Sequence, residues 1–86
     1  MNLQFSKKFA KQRLKLTKGE KLRVKKILRL FEQCPRHPLL KNHKLKGPQE
    51  GRRAISAGGD LRLIFEEYEN YTLVLFLSVG SHNQVY

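Results

Sequence analysis

The sequence predicts an α+β fold in which two N-terminal helices pack on one face of a small, mostly antiparallel sheet. Helical periodicity is confined to the first 34 residues, whereas strand patterns separated by turn residues occupy positions 52–79. The resulting order along the chain is strand, helix, helix and then three or four strands. A length of 86 residues fits one domain, which we take to span residues 1–86.

The N-terminal part is predicted to contain a short strand and two helices. Residues 2–5 alternate between polar and apolar, and Ser6 is a suitable N-cap for a basic helix over residues 7–16. A second helix is predicted over residues 20–34. Its apolar face, spaced i, i+3, i+4, i+7 and i+10, consists of Val24, Ile27, Leu28, Phe31 and Cys34. On this face we expect Cys34 to be a small core residue.

Three strands are predicted in the C-terminal half, over residues 52–56, 60–66 and 72–79. The second strand alternates, with one face formed by Leu61, Leu63 and Phe65 and the other by Arg62 and Ile64. The third strand is apolar throughout, which is typical of a strand covered on both faces. We therefore place it mid-sheet, with the first strand paired to it or to a neighbour. Arg62 is expected on the face opposite the helices, and Gly80 is expected to break the last strand and let the chain turn.

Positive charge is concentrated in the N-terminal half. Eighteen Lys and Arg residues face seven Asp and Glu residues, and seventeen of the eighteen precede position 54. This distribution favours a polyanionic partner, with nucleic acid as the first candidate and an acidic protein as the alternative. The single cysteine excludes an internal disulfide and suits a reducing cytosol. No apolar stretch of about 18 residues predicts a membrane span, and the stretch MNLQFSKKFAKQ lacks the apolar core of a signal peptide.

Three segments in order, "KLKG", "GDLRLIFEE" and "LSVGSHNQVY", follow the two basic helices. Together they resemble the RelE/ParE superfamily of bacterial toxins, in particular its RelE/StbE and YafQ-like branches. The resemblance covers nearly the whole chain and is sharpest from Lys44 to Tyr86. It implies two helices against a small antiparallel sheet.

The same resemblance implies a function. The chain would be the toxin of a type II toxin–antitoxin system and a metal-independent endoribonuclease without a cofactor. Such enzymes cleave mRNA, commonly on the ribosome, by attack of the 2′-hydroxyl on the adjacent phosphate, which leaves a 2′,3′-cyclic phosphate. The implied partners are mRNA, the ribosome and an antitoxin with an acidic or amphipathic segment. The implied location is the bacterial cytoplasm.

Seven residues match family positions around the scissile phosphate, namely His43, Lys44, Lys46, Asp60, Arg62, His82 and Tyr86. Histidine exchanges protons near neutral pH, and we predict His82 as the general acid. The planar fork of Arg62 suits phosphate oxygens, and the ring of Tyr86 suits stacking on a base. Lys44 and Lys46 are expected to point the same way from one short strand, "KLK". His43 and these two lysines are alternatives for the general base.

Three further cations, Arg53, Arg52 and Lys41, are predicted to contact RNA phosphates. One position departs from the YafQ-like pattern, which carries another histidine in the strand before the "GGD" turn. This chain has Ser56 there, which excludes a set of three catalytic histidines. Structural roles remain as alternatives for Asp60, as a residue closing the turn, for His43, as a solvated loop residue, and for His82, as a polar strand-end cap.

Two other functions compete with RNA cleavage. A ParE-like toxin shares the fold but inhibits DNA gyrase by binding, and that branch lacks the set of catalytic side chains found in this sequence. A non-catalytic basic RNA-binding module is expected to expose aromatic rings among its basic residues. In this sequence the predicted apolar faces include Phe5, Phe9 and Phe31. A non-catalytic RNA-binding module is therefore the least favoured of the three functions.

Overall fold

A computed structural model of the protein describes residues 1–86, with five strands and three helices. The strands are β1 (Asn2–Phe5), β2 (His43–Lys44), β3 (Arg53–Ser56), β4 (Leu61–Tyr68) and β5 (Leu73–Ser81). The helices are α1 (Lys7–Leu14), α2 (Lys18–Gln33) and α3 (His82–Val85). Single 3₁₀ turns cover Pro38–Leu40 and Gly47–Gln49. None of the helices has the length and apolar character that crossing a bilayer requires.

The five strands form one sheet in the order β1-β5-β4-β3-β2. β1 runs parallel to β5, and the other neighbours are antiparallel. β5 is an interior strand paired with β1 on one side and β4 on the other, as its uninterrupted apolar sequence predicts. The expected mixed but mainly antiparallel sheet is therefore confirmed.

Local signals fix where the two long helices begin. The Ser6 hydroxyl accepts a hydrogen bond from the Phe9 amide at 3.0 Å, which satisfies one free N–H of the first turn of α1. Thr17 and Glu20 form a reciprocal capping box at the start of α2, with N–H···O distances of 2.9 and 3.1 Å. The helices face the sheet through their apolar sides, on which Phe9, Val24 and Phe31 are buried.

The main core lies between the helices and the sheet. It contains 13 buried residues, and its centre is an aromatic cluster formed by Phe9, Phe31, Phe65, Tyr71 and Phe76. Leu61, Leu63 and Phe65 of β4 contribute to this core, which confirms the predicted inward face of that strand.

A second, smaller cluster covers part of the opposite face of the sheet. It consists of Ala54, Ile64 and Val85, with Leu45 packed at its edge. Ile64 lies here as its alternation with Leu63 predicts. Val85 belongs to α3, so the burial of this one side chain docks the C-terminal turn on the face away from the long helices.

Two expectations about this architecture are wrong. Cys34 is exposed, because α2 ends at Gln33 and Cys34 has an extended backbone with φ −153°, so the helical periodicity stops before it. Gly80 does not break β5 but pairs with Arg62 inside the sheet. A Cβ atom on Gly80 would lie 2.7 Å from Gln84 Oε1 and 3.4 Å from Val85 Cγ1, so the glycine makes room for α3.

Two boundaries also differ from expectation. β4 continues through Tyr68, two residues beyond the end of the strand predicted over residues 60–66. The predicted "KLK" strand is limited to His43–Lys44, and Lys46 already belongs to the approach to the second 3₁₀ turn.

Gly80→Ala should therefore loosen α3. The new methyl group displaces the Gln84 side chain, whose Oε1 accepts a hydrogen bond from the Ser81 amide at 2.8 Å. We expect a loss of about 0.5–2 kcal/mol, typical of a disrupted helix cap, measured by denaturant unfolding. Gly19→Ala is the control, because only Thr17 Oγ1, at 4.0 Å, approaches its Cβ position. Equal stability of Gly80→Ala and wild type would contradict this account.

Candidate functional site

A cleft of about 330 Å³ lies between the β2–β3 connection and α3. It is lined by His43, Leu45, Lys46, Pro48, Gln49, His82 and Tyr86. One wall comes from residues 43–49 and the other from the C-terminal turn. The fold thus brings together four of the seven residues that match the family positions, from parts of the sequence that are far apart.

The C-terminal turn places His82 and Tyr86 side by side. The His82 amide donates to the Asp60 carbonyl at 3.0 Å, which anchors the start of α3 to the turn before β4. The Tyr86 amide donates to the His82 carbonyl at 3.0 Å, which closes one helical turn. Residues four apart share a helix face, and the two rings meet edge to face with centroids 4.4 Å apart. Both side chains therefore line the cleft.

His43 is held in one orientation by the backbone of the preceding loop. Its Nδ1 lies 2.8 Å from the Lys41 carbonyl oxygen. A carbonyl only accepts, so in the neutral imidazole Nδ1 carries the proton and Nε2 keeps a free lone pair. Lys41 adopts the left-handed conformation, with φ 51°, at the end of the first 3₁₀ turn. His43 is thus arranged as a proton acceptor, and Lys41 contributes its carbonyl while its side chain is exposed.

Arg62 extends from the open face of β4, as predicted, and folds back over the β3–β4 turn. Its Nη1 lies 2.9 Å from the Gly59 carbonyl, 3.0 Å from the Leu61 carbonyl and 3.3 Å from Ser56 Oγ. Nε and Nη2 make no hydrogen bond within the protein. One edge of the guanidinium is therefore fixed, and the other is free for an anion.

The charge of Arg62 reaches the cleft. Burial raises the pKa of the Tyr86 phenol above its ordinary value of 10.0, and the positive charge of Arg62 partly opposes that rise. Tyr86 is therefore a neutral phenol near neutral pH. Its ring is 42% exposed, which leaves surface for contact with a ligand.

Solved structures of several bacterial toxins have the same architecture as this chain. The structure of YafQ from E. coli strain BL21(DE3) has a TM-score of 0.80, at 21% identity, over 99% of this chain and 97% of that one. YafQ in the E. coli DinJ–YafQ toxin–antitoxin complex gives 0.77, at 22% identity, over 99% and 96%. The YoeB/ParE toxin from Agrobacterium tumefaciens gives 0.77, at 15% identity, over 95% and 99%. This chain shares its fold with the YafQ and YoeB/ParE toxins.

The fold expected from the sequence is thus confirmed. No family model matches the sequence, and a search of curated proteins finds no match either. At these identities the relationship rests on the course of the backbone, and what the cleft does has to be argued from its own side chains.

Lys44 and Lys46 differ in their relation to the cleft. The expectation that both lie on one strand is wrong, because β2 ends at Lys44. Both lysines line a neighbouring depression with Arg53 and Glu67, but only Lys46 also lines the cleft with the two histidines. Lys46 is therefore the lysine placed to act in the cleft.

The remaining predicted residues have partners outside the cleft or lie beside it. Arg53 Nε donates to Asn42 Oδ1 at 2.7 Å, and Arg52 Nε lies 3.4 Å from Glu66 Oε2. Asp60 is exposed, and its backbone carbonyl rather than its carboxylate receives the His82 amide. Roles for these side chains in binding RNA stay predictions.

Two contributors were missed by sequence reasoning. Ser56, noted only as a departure from a pattern, contacts Arg62 Nη1 and so helps to orient it. Gln49 donates from Nε2 to the Val85 carbonyl at 2.6 Å and thereby joins the two walls of the cleft. No local pattern marks a glutamine in a loop, so only the three-dimensional contact reveals it.

The chain carries a net charge of +11, and almost none of its cations forms an ion pair. The only ion pair joins Arg52 and Glu66. No group of three His, Cys, Asp or Glu side chains is arranged to hold a metal ion. The cleft therefore lies in a strongly positive field.

Arg62→Gln should raise the pKa of Tyr86 further, because it removes the positive charge that stabilises the tyrosinate. Glu66→Gln is the matched control and should instead lower the pKa of Tyr68, whose phenol donates to Glu66 Oε1 at 2.8 Å and whose pKa is raised mainly by that bond. NMR titration of isotope-labelled tyrosine rings measures both. A Tyr86 pKa that stays unchanged or falls in Arg62→Gln would show that the two groups do not interact.

Proposed function

We propose that this chain is the toxin of a type II toxin–antitoxin system and that it cleaves mRNA in the bacterial cytoplasm, on the ribosome. The carrying observation is the cleft itself, in which His43 and His82 stand on opposite walls with Lys46 beside them. An acid and a base near neutral pH on two sides of a small cavity suit a proton-transfer reaction on a bound phosphodiester. The shared fold with YafQ and YoeB/ParE toxins supports the proposal.

The proposed reaction is an internal transesterification. His43 Nε2 takes the proton of the ribose 2′-hydroxyl, and the resulting oxygen attacks the adjacent phosphorus. The bond from phosphorus to the 5′-oxygen breaks, and His82 protonates that oxygen as it leaves. The products are a 2′,3′-cyclic phosphate and a free 5′-hydroxyl. Lys46 is the alternative base, and the fixed Nδ1–H bond of His43 favours the histidine.

Charge stabilisation falls to Arg62 and Lys46. Negative charge grows on the non-bridging phosphate oxygens in the transition state, and preorganised cations stabilise it. The free guanidinium edge of Arg62 presents two N–H groups for a bidentate contact. Tyr86, as a neutral and half-exposed ring, stacks on a base or orients it, and stacking is worth roughly 1–3 kcal/mol per base.

The proposed antitoxin is a protein with an acidic or amphipathic segment. A groove of about 560 Å³ between α1 and α2 offers a matching surface, with Phe9, Val24 and Leu28 at its floor and Arg13 and Arg29 among its other lining residues. The support from comparison is the DinJ–YafQ toxin–antitoxin complex, whose YafQ chain shares the fold.

Gyrase inhibition and passive RNA binding receive no comparable support. Neither activity requires two histidines that line one cleft. Phe9 and Phe31 are fully buried, as their apolar faces predict. Phe5 departs from the same prediction, because it is 45% exposed although its ring stacks on Phe76.

Purified protein added to translating ribosomes should cleave the mRNA to fragments that end in a 2′,3′-cyclic phosphate. Arg62→Ala should fold and lose most of the cleavage and growth inhibition, and Arg62→Lys should recover little, because a point charge does not replace a planar fork. End-group analysis of the RNA and growth after induction measure these outcomes. Full toxicity of a folded Arg62→Ala protein would refute the role of Arg62, and intact mRNA with wild type would refute the proposed function.

His82→Ala should slow single-turnover cleavage by about 10²–10⁴-fold and leave RNA affinity nearly unchanged. The rate of the wild type should be bell-shaped in pH, with apparent pKa values that belong to the coupled pair of groups. Loss of the acid should remove the alkaline limb, whereas His43→Ala should remove the acidic limb. A substrate with a better leaving group should restore much of the His82→Ala rate. An alkaline limb that persists in His82→Ala would show that another group is the acid.

A further inference from the structure

Gln49 joins the two walls of the cleft through a single side chain. It ends the Gly47–Gln49 turn in the first wall, and its Nε2 donates to the Val85 carbonyl in the second, at 2.6 Å. Val85 belongs to the last turn of α3, where backbone carbonyls have no partner within the helix. The glutamine therefore supplies a hydrogen bond that α3 cannot make by itself.

The orientation of the Gln49 amide is determined by its two partners. Arg52 Nη1 lies 3.1 Å from Gln49 Oε1, and a guanidinium only donates. The Val85 carbonyl only accepts. The oxygen must therefore face Arg52 and the nitrogen must face Val85, so the amide cannot flip without losing both bonds.

Arg52 is itself held from the sheet. Its Nε lies 3.4 Å from Glu66 Oε2, and the other carboxylate oxygen of Glu66 accepts from the Tyr68 hydroxyl at 2.8 Å. The chain of contacts runs from β4 through Arg52 to Gln49 and ends at α3. It links the rigid sheet to the C-terminal turn across one loop side chain.

α3 needs such support. It has four residues, and a helix of that length is unstable on its own because nucleation is costly. Its other attachments are the burial of Val85 and the bond from the His82 amide to Asp60. The Gln49 bond is the one hydrogen bond between α3 and residues 43–49, of which Leu45 also packs against the apolar cluster that contains Val85.

We propose that Gln49 is a positioning residue that sets the separation between His43 and Lys46 on one wall and His82 and Tyr86 on the other. This inference rests on the proposed function for its catalytic consequence, although its structural part stands without it. Without this tether, the hydrogen bond from Gln49 to the Val85 carbonyl, α3 detaches more often from residues 43–49. His82 then spends less time within reach of the leaving oxygen. The rate of the bound complex then falls, whereas RNA affinity, which depends on the whole basic surface, changes little.

Two variants separate the parts of the tether. Gln49→Met removes both hydrogen bonds without adding charge. Gln49→Glu keeps an acceptor for Arg52 and loses the donor to Val85. Gln33→Met and Gln33→Glu are the matched controls, because Gln33 is exposed at the end of α2 and makes no side-chain hydrogen bond.

The first measurement needs no RNA. Amide hydrogen exchange at His82 and Tyr86 should be faster by roughly 2–10-fold in both Gln49 variants, as expected for the loss of one hydrogen bond. Exchange at Phe76 in β5 should stay at the wild-type rate and reports global unfolding. If Gln49→Met unfolds globally, amide exchange at His82 and Tyr86 in Gln49→Glu tests the proposal instead. Unchanged exchange at His82 and Tyr86 in a folded Gln49 variant would overturn the proposal.

The second measurement is single-turnover cleavage at saturating RNA. Both Gln49 variants should lower the rate with little change in the half-saturating RNA concentration, and the Gln33 variants should match wild type. In a His82→Ala background, Gln49→Met should have much less effect, because Gln49 acts on the rate through His82 and mutations that act through one residue are not additive. Full additivity would overturn positioning through α3. A wild type that does not cleave RNA would refute the proposed function and leave the exchange result to decide the role of the tether.

Discussion

The structure depends on the packing of Phe76 at the centre of β5. Its ring lies within 6 Å of four other aromatic rings, with centroid distances of 5.6 Å to Phe5, 5.9 Å to Phe9, 5.5 Å to Phe31 and 5.4 Å to Phe65. These partners come from β1, α1, α2 and β4. One side chain thus fixes both long helices and both neighbouring strands relative to β5. Since α3 follows β5 directly, the same packing fixes the starting point of the candidate site.

One face of the sheet holds the main core, and the other face is largely left for the candidate site. The helix-covered face holds the main core, whereas the opposite face holds only a three-residue cluster and the polar groups around Arg62. A domain of this size has little apolar surface to spare, and covering only one face leaves the other to the cleft. The cost is that α3 is attached through few contacts, one of which is a side-chain amide.

The fold could be predicted because its signals are local. The periodicity of α2, the alternation in β4 and the apolar run of β5 each follow from neighbouring residues, and burial in the core bears them out. The prediction that Cys34 is a core residue was wrong because helical periodicity does not indicate where a helix ends. The prediction that Gly80 breaks the last strand was wrong because the glycine was assumed to turn the chain. Its role is to leave space for Gln84 and Val85.

The site could be predicted only in part. His43, Lys46, His82 and Tyr86 do meet in one cleft, but that grouping came from resemblance to a family and not from spacing along the chain. That Lys46 lines the cleft and Lys44 does not could not be predicted, because β2 has only two residues and no local pattern fixes its length. Gln49 depends on a contact between two loops, and such contacts leave no periodic trace in a sequence.

The near absence of ion pairs also bears on how the chain folds. The chain has a radius of gyration of only 11.8 Å and carries eighteen cations, one of which forms an ion pair. Repulsion between neighbouring cations opposes the compact state and is only partly screened at physiological ionic strength, where the Debye length is about 8 Å. A polyanion that binds the folded chain relieves this repulsion and shifts the folding equilibrium by mass action. The lifetime of the folded protein therefore depends on whether an anionic partner is bound. A chain without such a partner unfolds, and is cleaved by proteases, more readily than a chain that has one.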